Sequence, residues 1–175
     1  MADEPSGAAG AGEGAQPQFT IRAQYVKDLS FENPRAPHAL QSREQPKIEL
    51  QVQVGSRALG NDHYEVELHI TARANHGEQP AFLAELAYAG VFFATNLPDE
   101  QMRQRLLVEG PRLLFPFARR VIADCTRDGG FPPLMIEPLD FVELYRRSEA
   151  KRQEAAAAAA GDGAGQPARG DGGEA

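Results

Sequence analysis

Apolar and polar residues alternate along four stretches of the chain. Three of them put their apolar residues on one face and their polar residues on the other: FTIRAQYV at 19–26, KIELQVQV at 47–54 and HYEVELHITARA at 63–74. A period of two residues is typical of strands with one buried face. Turn-forming residues at 55–62 and 75–80 follow the second and third strands, and such short connections favour antiparallel neighbours. The pattern therefore predicts an antiparallel sheet.

The fourth stretch, AFLAELAYAGVFFA at 81–94, is apolar on both faces. One face carries Phe82, Ala84, Leu86 and Tyr88, and the other carries Leu83, Ala87 and Ala89, interrupted by Glu85. A strand that is apolar on both faces is usually covered on both. In so short a chain, we expect the second cover to come from another subunit.

The remaining body of the chain has helical patterns. Residues 98–109 begin with Pro98, Asp99 and Glu100, which is typical of a helix start, and Gly110-Pro111 should break or kink the run. Residues 111–128 carry one apolar stripe that ends at Gly129-Gly130, and 139–160 form a last helix. Strands followed by helices predict an α+β fold. We expect a four-stranded antiparallel sheet with the C-terminal helices packed on one face.

Composition divides the chain into a body and two ends. Residues 1–18 and 155–175 contain no Leu, Ile, Val, Phe or Tyr, so we expect both ends to be disordered around a folded domain at 19–154. The first end carries three acids and no base, and the last carries three acids and one base, so together they hold −5 of the net charge of −7. The nearly neutral body lacks the basic stripe of a nucleic-acid-binding protein.

Several classes of protein and site do not fit the chain. The single cysteine, Cys125, excludes an internal disulfide and a cysteine zinc cluster. There is neither a signal peptide nor an apolar run of about 20 residues, so we expect a cytoplasmic protein without direct membrane insertion. His63, Glu65, Glu67 and His69 share a strand face, but their spacing suits a solvated surface better than a metal site. Without a Walker sequence or a catalytic constellation, we expect no enzyme and no cofactor.

The segment FPPLMIEPLDF at 131–141 combines prolines with many apolar side chains. An extended loop of this kind beside a sheet can leave an apolar groove that accepts another extended chain. The predicted wall of this groove consists of Phe131, Leu134, Ile136, Leu139 and Phe141.

The segment VKDLSFENPRAPHAL at 26–40 reads as neither a good helix nor a good strand. Pro34 and Pro37 push the residues before them out of helical conformation. The segment also contains apolar and acidic side chains, so its composition differs from that of a flexible linker. We interpret it as a fixed loop after the first strand.

Extended by one residue, YVKDLSFENPRAPHAL closely resembles the segment after the first strand in the SecB family of bacterial protein-export chaperones. The similarity continues through DHYEVELHITARA, AFLAELAYAGVF and PRLLFPFARRVIADCTRDGGFPPLMIEPLDFVELY, and covers essentially residues 19–146. It implies an ATP-independent chaperone that binds unfolded preproteins, keeps them competent for translocation and delivers them to the SecA ATPase. In this comparison Pro34 and Pro37 lie in a crossover loop between the first two strands.

The resemblance also implies partners and their sites. It implies a homotetramer, a dimer of dimers, with helices between the sheets of different subunits. The predicted oligomer interface is Phe82, Ala84, Leu86, Tyr88, Leu106, Leu114 and Phe117. Asp28, Glu32, Leu83 and Glu85 match the positions that present an acidic patch to the basic, zinc-carrying tail of SecA. The loop at 131–141 would border the client groove.

Two other functions stay open at this point. The chain could bind a small apolar ligand in the same groove, or it could be a purely structural homo-oligomer. Saturable binding of unfolded polypeptide would separate the chaperone from both.

Overall fold

The computed structural model describes residues 16–42 and 44–162. The chain divides into two compact units. Met1–Pro138 contains a four-stranded sheet and a helical layer, and Leu139–Ala175 contains one helix. The outer parts of the predicted disordered ends, 1–15 and 163–175, lie outside the described residues.

The sheet confirms the predicted architecture. Its strands are β1 (Gln18–Glu32), β2 (Lys47–Gly60), β3 (His63–His76) and β4 (Gln79–Thr95). They are antiparallel in the order β1-β4-β3-β2, so β1 and β2 are the two edges. The connection from β1 to β2 must therefore cross the whole sheet, and it contains a short 3₁₀ helix at His38–Gln41.

Strand β1 is longer than the sequence pattern predicts. Residues 27–32, predicted as part of a loop, continue the strand, which pairs with β4. The register shifts between Ile21 and Ala23 and again between Val26 and Asp28. The first shift places Ala23 and Tyr25 on the face opposite to Phe19 and Ile21, which corrects the single apolar face predicted for 19–26. The second shift interrupts the alternation before Asp28, which hides the rest of the strand from a search for period two. Only the residues after Glu32, including Pro34 and Pro37, follow the irregular path expected.

The helical layer is also more continuous than predicted. Helix α1 (Asp99–Gln104) passes through a π-helical turn at Arg105–Glu109 into α2 (Gly110–Asp128), without a break at Gly110-Pro111. Pro111 cannot donate a backbone hydrogen bond, and a wider π turn just before it keeps the chain helical. Helix α2 ends at Gly129-Gly130, as predicted.

Helix α2 packs its apolar stripe against the centre of the sheet. Leu114, Ala118 and Ile122 are fully buried. Gly90 on β4 allows this close approach, because a Cβ atom there would lie 2.7 Å from Cδ2 of Leu114. Gly110 has the same role against Val66, at 3.0 Å from Cγ2. The small residues thus let helix and sheet form one core.

This core contains most of the residues predicted for the oligomer interface. Phe82, Ala84, Leu86, Tyr88, Leu106 and Leu114 are each at most 6% exposed in the single chain. A side chain buried within its own chain has almost no surface left for a second one. The burial corrects the predicted interface: these six residues stabilise the protomer, and only Phe117, which is 41% exposed, presents a large surface.

The loop after α2 is held to the helix by Thr126, which is fully buried. Its hydroxyl donates to the backbone carbonyl groups of Ile122 and Ala123 and accepts a hydrogen bond from the backbone N–H of Leu134 at 2.9 Å. The loop is therefore fixed although it has no regular structure.

In the second unit, helix α3 spans Phe141–Asp162. Its start is capped by Asp140, whose side chain accepts hydrogen bonds from the backbone N–H groups of Val142 and Glu143. The helix extends beyond the predicted domain boundary at residue 154, since the alanine run at 155–160 strongly favours helix.

Candidate interaction surfaces

A network of charged side chains crosses the face of the sheet opposite α2, which we call the outer face. At its centre is Glu65, which is 3% exposed. Its carboxylate accepts hydrogen bonds from Nε of Arg57 at 2.6 Å, from Nζ of Lys27 at 3.0 Å and from the hydroxyl of Tyr25. Lys27 also donates to Glu67 at 2.7 Å. Glu65 and Glu67, two of the four residues considered as a metal site, are thus partners of cations.

The network covers the middle of the outer face of β4 within one chain. Ala87 and Ala89 on the outer face are 6% and 0% exposed. The hydrogen bonds from Tyr25 and Lys27 on β1 to Glu65 on β3 pass over β4, which lies between these strands. The small alanine side chains leave room for this bridge. The expectation that a second subunit covers the rest of this face stays a prediction.

The network also lowers the pKa of Glu65 from 4.5 to about 2, mainly through the hydrogen bonds from Arg57 and Tyr25. Because the carboxyl group is more acidic in the folded state, its contribution to stability is present above about pH 4.5 and is lost as the pH falls towards 2. The contribution is at most about 3 kcal/mol. We expect Glu65→Gln to lower the free energy of unfolding at pH 7 and to flatten its decline below pH 4.5.

Urea unfolding across this pH range measures the effect. Glu49→Gln is the matched control, since Glu49 forms an exposed ion pair with Lys47 on the same face and should matter little. A Glu65→Gln variant with the same pH dependence as the parent would contradict the assignment.

The predicted SecA-binding residues lie together on the outer face. Glu32 is directly opposite Leu83, and Glu85 is opposite Ser30, which lies between Asp28 and Glu32 on β1. Neighbouring strands hold such directly opposed residues about 5 Å apart, so the four form one patch. Among the described residues, no ion pair neutralises Asp28, Glu32 or Glu85. We call Asp28, Glu32, Leu83 and Glu85 the acidic patch.

The predicted groove wall is only partly on the surface. Phe131 and Ile136 are 8% and 4% exposed, and the Phe131 ring packs against the rings of Phe31 and Phe82. These two side chains belong to the core, which corrects their assignment to an open wall. Leu134 is half-buried, while Leu139 and Phe141 belong to the second unit.

An apolar row that the sequence analysis did not single out lies on β2. Ile48 and Leu50 are each 37% exposed, and Val52 and Val54 on the same face are half-buried. Helix α2 packs mainly against β4 and β3, so it leaves this edge strand incompletely covered. The alternation of β2 predicts an apolar face, but nothing in the pattern shows that the helix stops short of it. We call Ile48, Leu50, Val52 and Val54 the β2 row.

A second exposed apolar surface lies where β1 meets α2. Val26, Leu29, Leu113 and Phe117 are 41–48% exposed. Leu29 lines a cavity of about 430 Å³ with Val121 and Cys125 of α2. Leu113 and Phe117 precede Val121 by two turns and one turn, so they extend the same side of the helix. We call Val26, Leu29, Leu113 and Phe117 the β1–α2 strip.

In the part of the chain that the structure describes, no helix is long and apolar enough to cross a membrane. Likewise, no group of three or more His, Cys, Asp or Glu side chains in that part is arranged to hold a metal ion.

Comparison with known proteins gives consistent matches. The family model "Preprotein translocase subunit SecB" matches residues 12–152. The protein-export protein SecB of Maricaulis maris is 49% identical over 169 residues, covering 96% of this chain and 98% of the relative. That of Rhizorhabdus wittichii is 53% identical over 146 residues, covering 83% and 87%.

The fold has a solved counterpart. The SecB-like chaperone Rv1957 of Mycobacterium tuberculosis, in complex with a ChAD peptide from the HigA1 antitoxin, has a TM-score of 0.60 and 19% sequence identity. The similarity covers 69% of this chain and 90% of that one. At this identity the likeness concerns the fold. The sequence matches over nearly the whole chain carry the assignment: the chain belongs to the SecB family of protein-export chaperones.

Proposed function

We propose that this chaperone holds unfolded preproteins in the cytoplasm without ATP, as a homotetramer, and delivers them to SecA through the acidic patch. It needs no enzyme activity and no cofactor for this task. The observation that carries the proposal is the exposed β2 row on an edge strand, where apolar side chains and unpaired backbone groups are both accessible.

These two features suit an unfolded client. An unfolded chain exposes apolar side chains and free backbone donors and acceptors, whereas a folded protein hides most of both. Ile48 and Leu50 of the β2 row can contact the apolar side chains of the client. The open edge of β2 can pair with the client's backbone by strand addition. Recognition of this kind does not depend on a particular client sequence, as a general export chaperone requires.

A single such surface binds weakly. Each buried apolar side chain contributes about 1.5–3 kcal/mol before the cost of ordering the client is subtracted. Several copies on one oligomer would bind distant segments of the same client. Once one segment is bound, the effective concentration of the other surfaces is high, so the overall affinity far exceeds that of one contact. Oligomerisation is thus the simplest route to tight capture without ATP.

The β1–α2 strip supports self-association. Four large apolar side chains that are 41–48% exposed lie on β1 and on α2, and a protein that stays monomeric rarely exposes so much apolar surface in one region. The strip replaces the buried residues of the predicted interface, and it retains Phe117. A dimer of dimers built partly on this strip is the proposed assembly.

The acidic patch supports the contact with SecA. Asp28, Glu32 and Glu85 give three negative charges without ion-pair partners among the described residues, and Leu83 among them is half-buried and can act as an apolar anchor. A basic tail is complementary to this surface. Charges at an exposed surface mainly accelerate encounter and are screened by salt.

Reversing Glu85 or Asp28 to Lys should weaken the binding of SecA about tenfold at low salt, because each change replaces an attraction by a repulsion. The difference should shrink as the salt concentration rises. Titration calorimetry with purified SecA measures the affinity, and light scattering checks that the oligomer is unchanged. Unaltered affinity in both variants would show that SecA contacts another surface.

The function itself is tested by saturable binding of a reduced, unfolded polypeptide, with the folded form of the same polypeptide as competitor. The proposal predicts tight binding of the unfolded form and no competition by the folded form. A module for small apolar ligands would bind neither form tightly, and a purely structural oligomer would show no saturable binding.

A further inference from the structure

The acidic patch depends on an irregularity in β1. Val26 lies opposite Tyr88, but Asp28 lies opposite Ala87, so two steps along β1 match one step along β4. Lys27 is therefore the extra residue of a β-bulge. Bulges of this kind redirect the side chains that follow them.

The bulge decides which side chains of β1 reach the outer face. With regular pairing after Val26, Asp28 would lie opposite Leu86 and point towards the helical layer. A shift of one residue exchanges the two faces of a strand. The bulge instead places Asp28, Ser30 and Glu32 on the outer face and turns Leu29 and Phe31 inwards, where Phe31 stacks on Phe82.

The side chain of the bulge residue is tied to a different strand. Nζ of Lys27 donates to Glu65 at 3.0 Å and to Glu67 at 2.7 Å, both on β3. It therefore reaches across β4, while Tyr25 beside it donates to the same Glu65. Glu65 is buried and is held from the other side by Arg57, so it is a fixed anchor.

We propose that Lys27 is a positioning residue for partner docking: its bonds to Glu65 and Glu67 hold the bulge that turns Asp28 and Glu32 towards the outer face. This role rests on the proposed function of the acidic patch. Lys27, although it is positively charged, thus supports the binding of a basic partner.

If Lys27 has this role, removing its charge should change the affinity for SecA in the direction opposite to the one that electrostatics alone predicts. Lys27 neighbours Asp28 in sequence, so removing its positive charge should strengthen the attraction of a basic partner, by up to about threefold from Coulomb's law. If Lys27 holds the patch in place, the same change instead loosens the bulge and separates Asp28 from Glu85. The two effects can therefore be distinguished by direction alone.

The experiment measures SecA affinity by titration calorimetry for the full-length parent and for Lys27→Met, Lys27→Arg, Arg57→Met and Glu85→Lys. Arg57→Met is the matched control, since it removes an equal charge from the same Glu65 but lies on β2, away from the bulge. We expect Lys27→Met to bind SecA about fivefold more weakly than the parent. Lys27→Arg should retain most of the parent's affinity, and the affinity of Arg57→Met should lie within about twofold of the parent's.

The outcomes separate the positioning role from the patch itself. Tighter or unchanged binding by Lys27→Met, with weaker binding by Glu85→Lys, would overturn the role of Lys27 and leave the patch intact. Equally weak SecA binding by Arg57→Met would also overturn the role of Lys27, because a general loosening of the charged network would then explain the loss of affinity. Unchanged binding by Glu85→Lys would overturn the patch and, with it, the role of Lys27.

Discussion

Leu113→Asp combined with Phe117→Asp is expected to split the proposed tetramer into smaller species at micromolar concentration. Both side chains are exposed in the protomer, at 48% and 41%, so the change should leave the folded chain nearly as stable as the parent. In an interface, an unpaired carboxylate costs about 3–5 kcal/mol. Two such charges in every subunit should prevent the β1–α2 strip from packing against its partner.

Multi-angle light scattering reports the mass, and circular dichroism reports the fold. Leu59→Asp is the control, because Leu59 is 47% exposed but lies on β2 outside the strip. Substitutions at Ala84 or Tyr88 are unsuitable, since these residues are buried in the protomer and a charge there would unfold it. A double variant with the mass of the parent would exclude the strip as an interface.

Ile48→Ser combined with Leu50→Ser is expected to abolish most of the capacity to hold an unfolded polypeptide. Each side chain contributes at most about 1.5–3 kcal/mol to one contact, and the loss is repeated in every subunit that the client touches. The assembled mass should not change, because the β2 row is separate from the β1–α2 strip. Suppression of light scattering from an aggregating client measures the capacity.

The opposite face of the same strand supplies a matched control. Gln51→Ser combined with Gln53→Ser alters β2 equally but leaves the apolar row intact. We expect this variant to hold the client like the parent. The pair Leu134 and Ile136 is less informative, since Ile136 is 4% exposed and its truncation would disturb the core. If the Ile48 and Leu50 variant suppressed aggregation fully, clients would bind elsewhere.

The sheet could be predicted from the sequence because alternation is a local property. β2, β3 and β4 each contain a stretch with the period of two. The turn predicted at 55–62 is shorter than expected, because β2 continues to Gly60. The second half of β1 could not be found in this way. Its bulge at Lys27 interrupts the alternation, and the Lys27 side chain bonds Glu65 and Glu67, which are 38 and 40 residues away along the chain.

The interaction surfaces were harder to predict than the fold. The residues of the acidic patch came from similarity to a family, and the register of β1 against β4 was needed to place them side by side. Apolar character alone points to the residues predicted for assembly and client binding. Sequence alone does not show that α2 covers β4 and leaves β2 partly open, so Phe82 and Ile48 look equally apolar although only Ile48 is exposed.

In the proposed function, this chain captures unfolded polypeptides by itself. The most direct test adds the full-length protein, without nucleotide, to a client diluted from denaturant and follows light scattering as the amount of chaperone rises. We expect suppression that saturates near a stoichiometric ratio, with the client released when it is allowed to fold slowly. Aggregation that proceeds unchanged at a severalfold excess of the protein would contradict it.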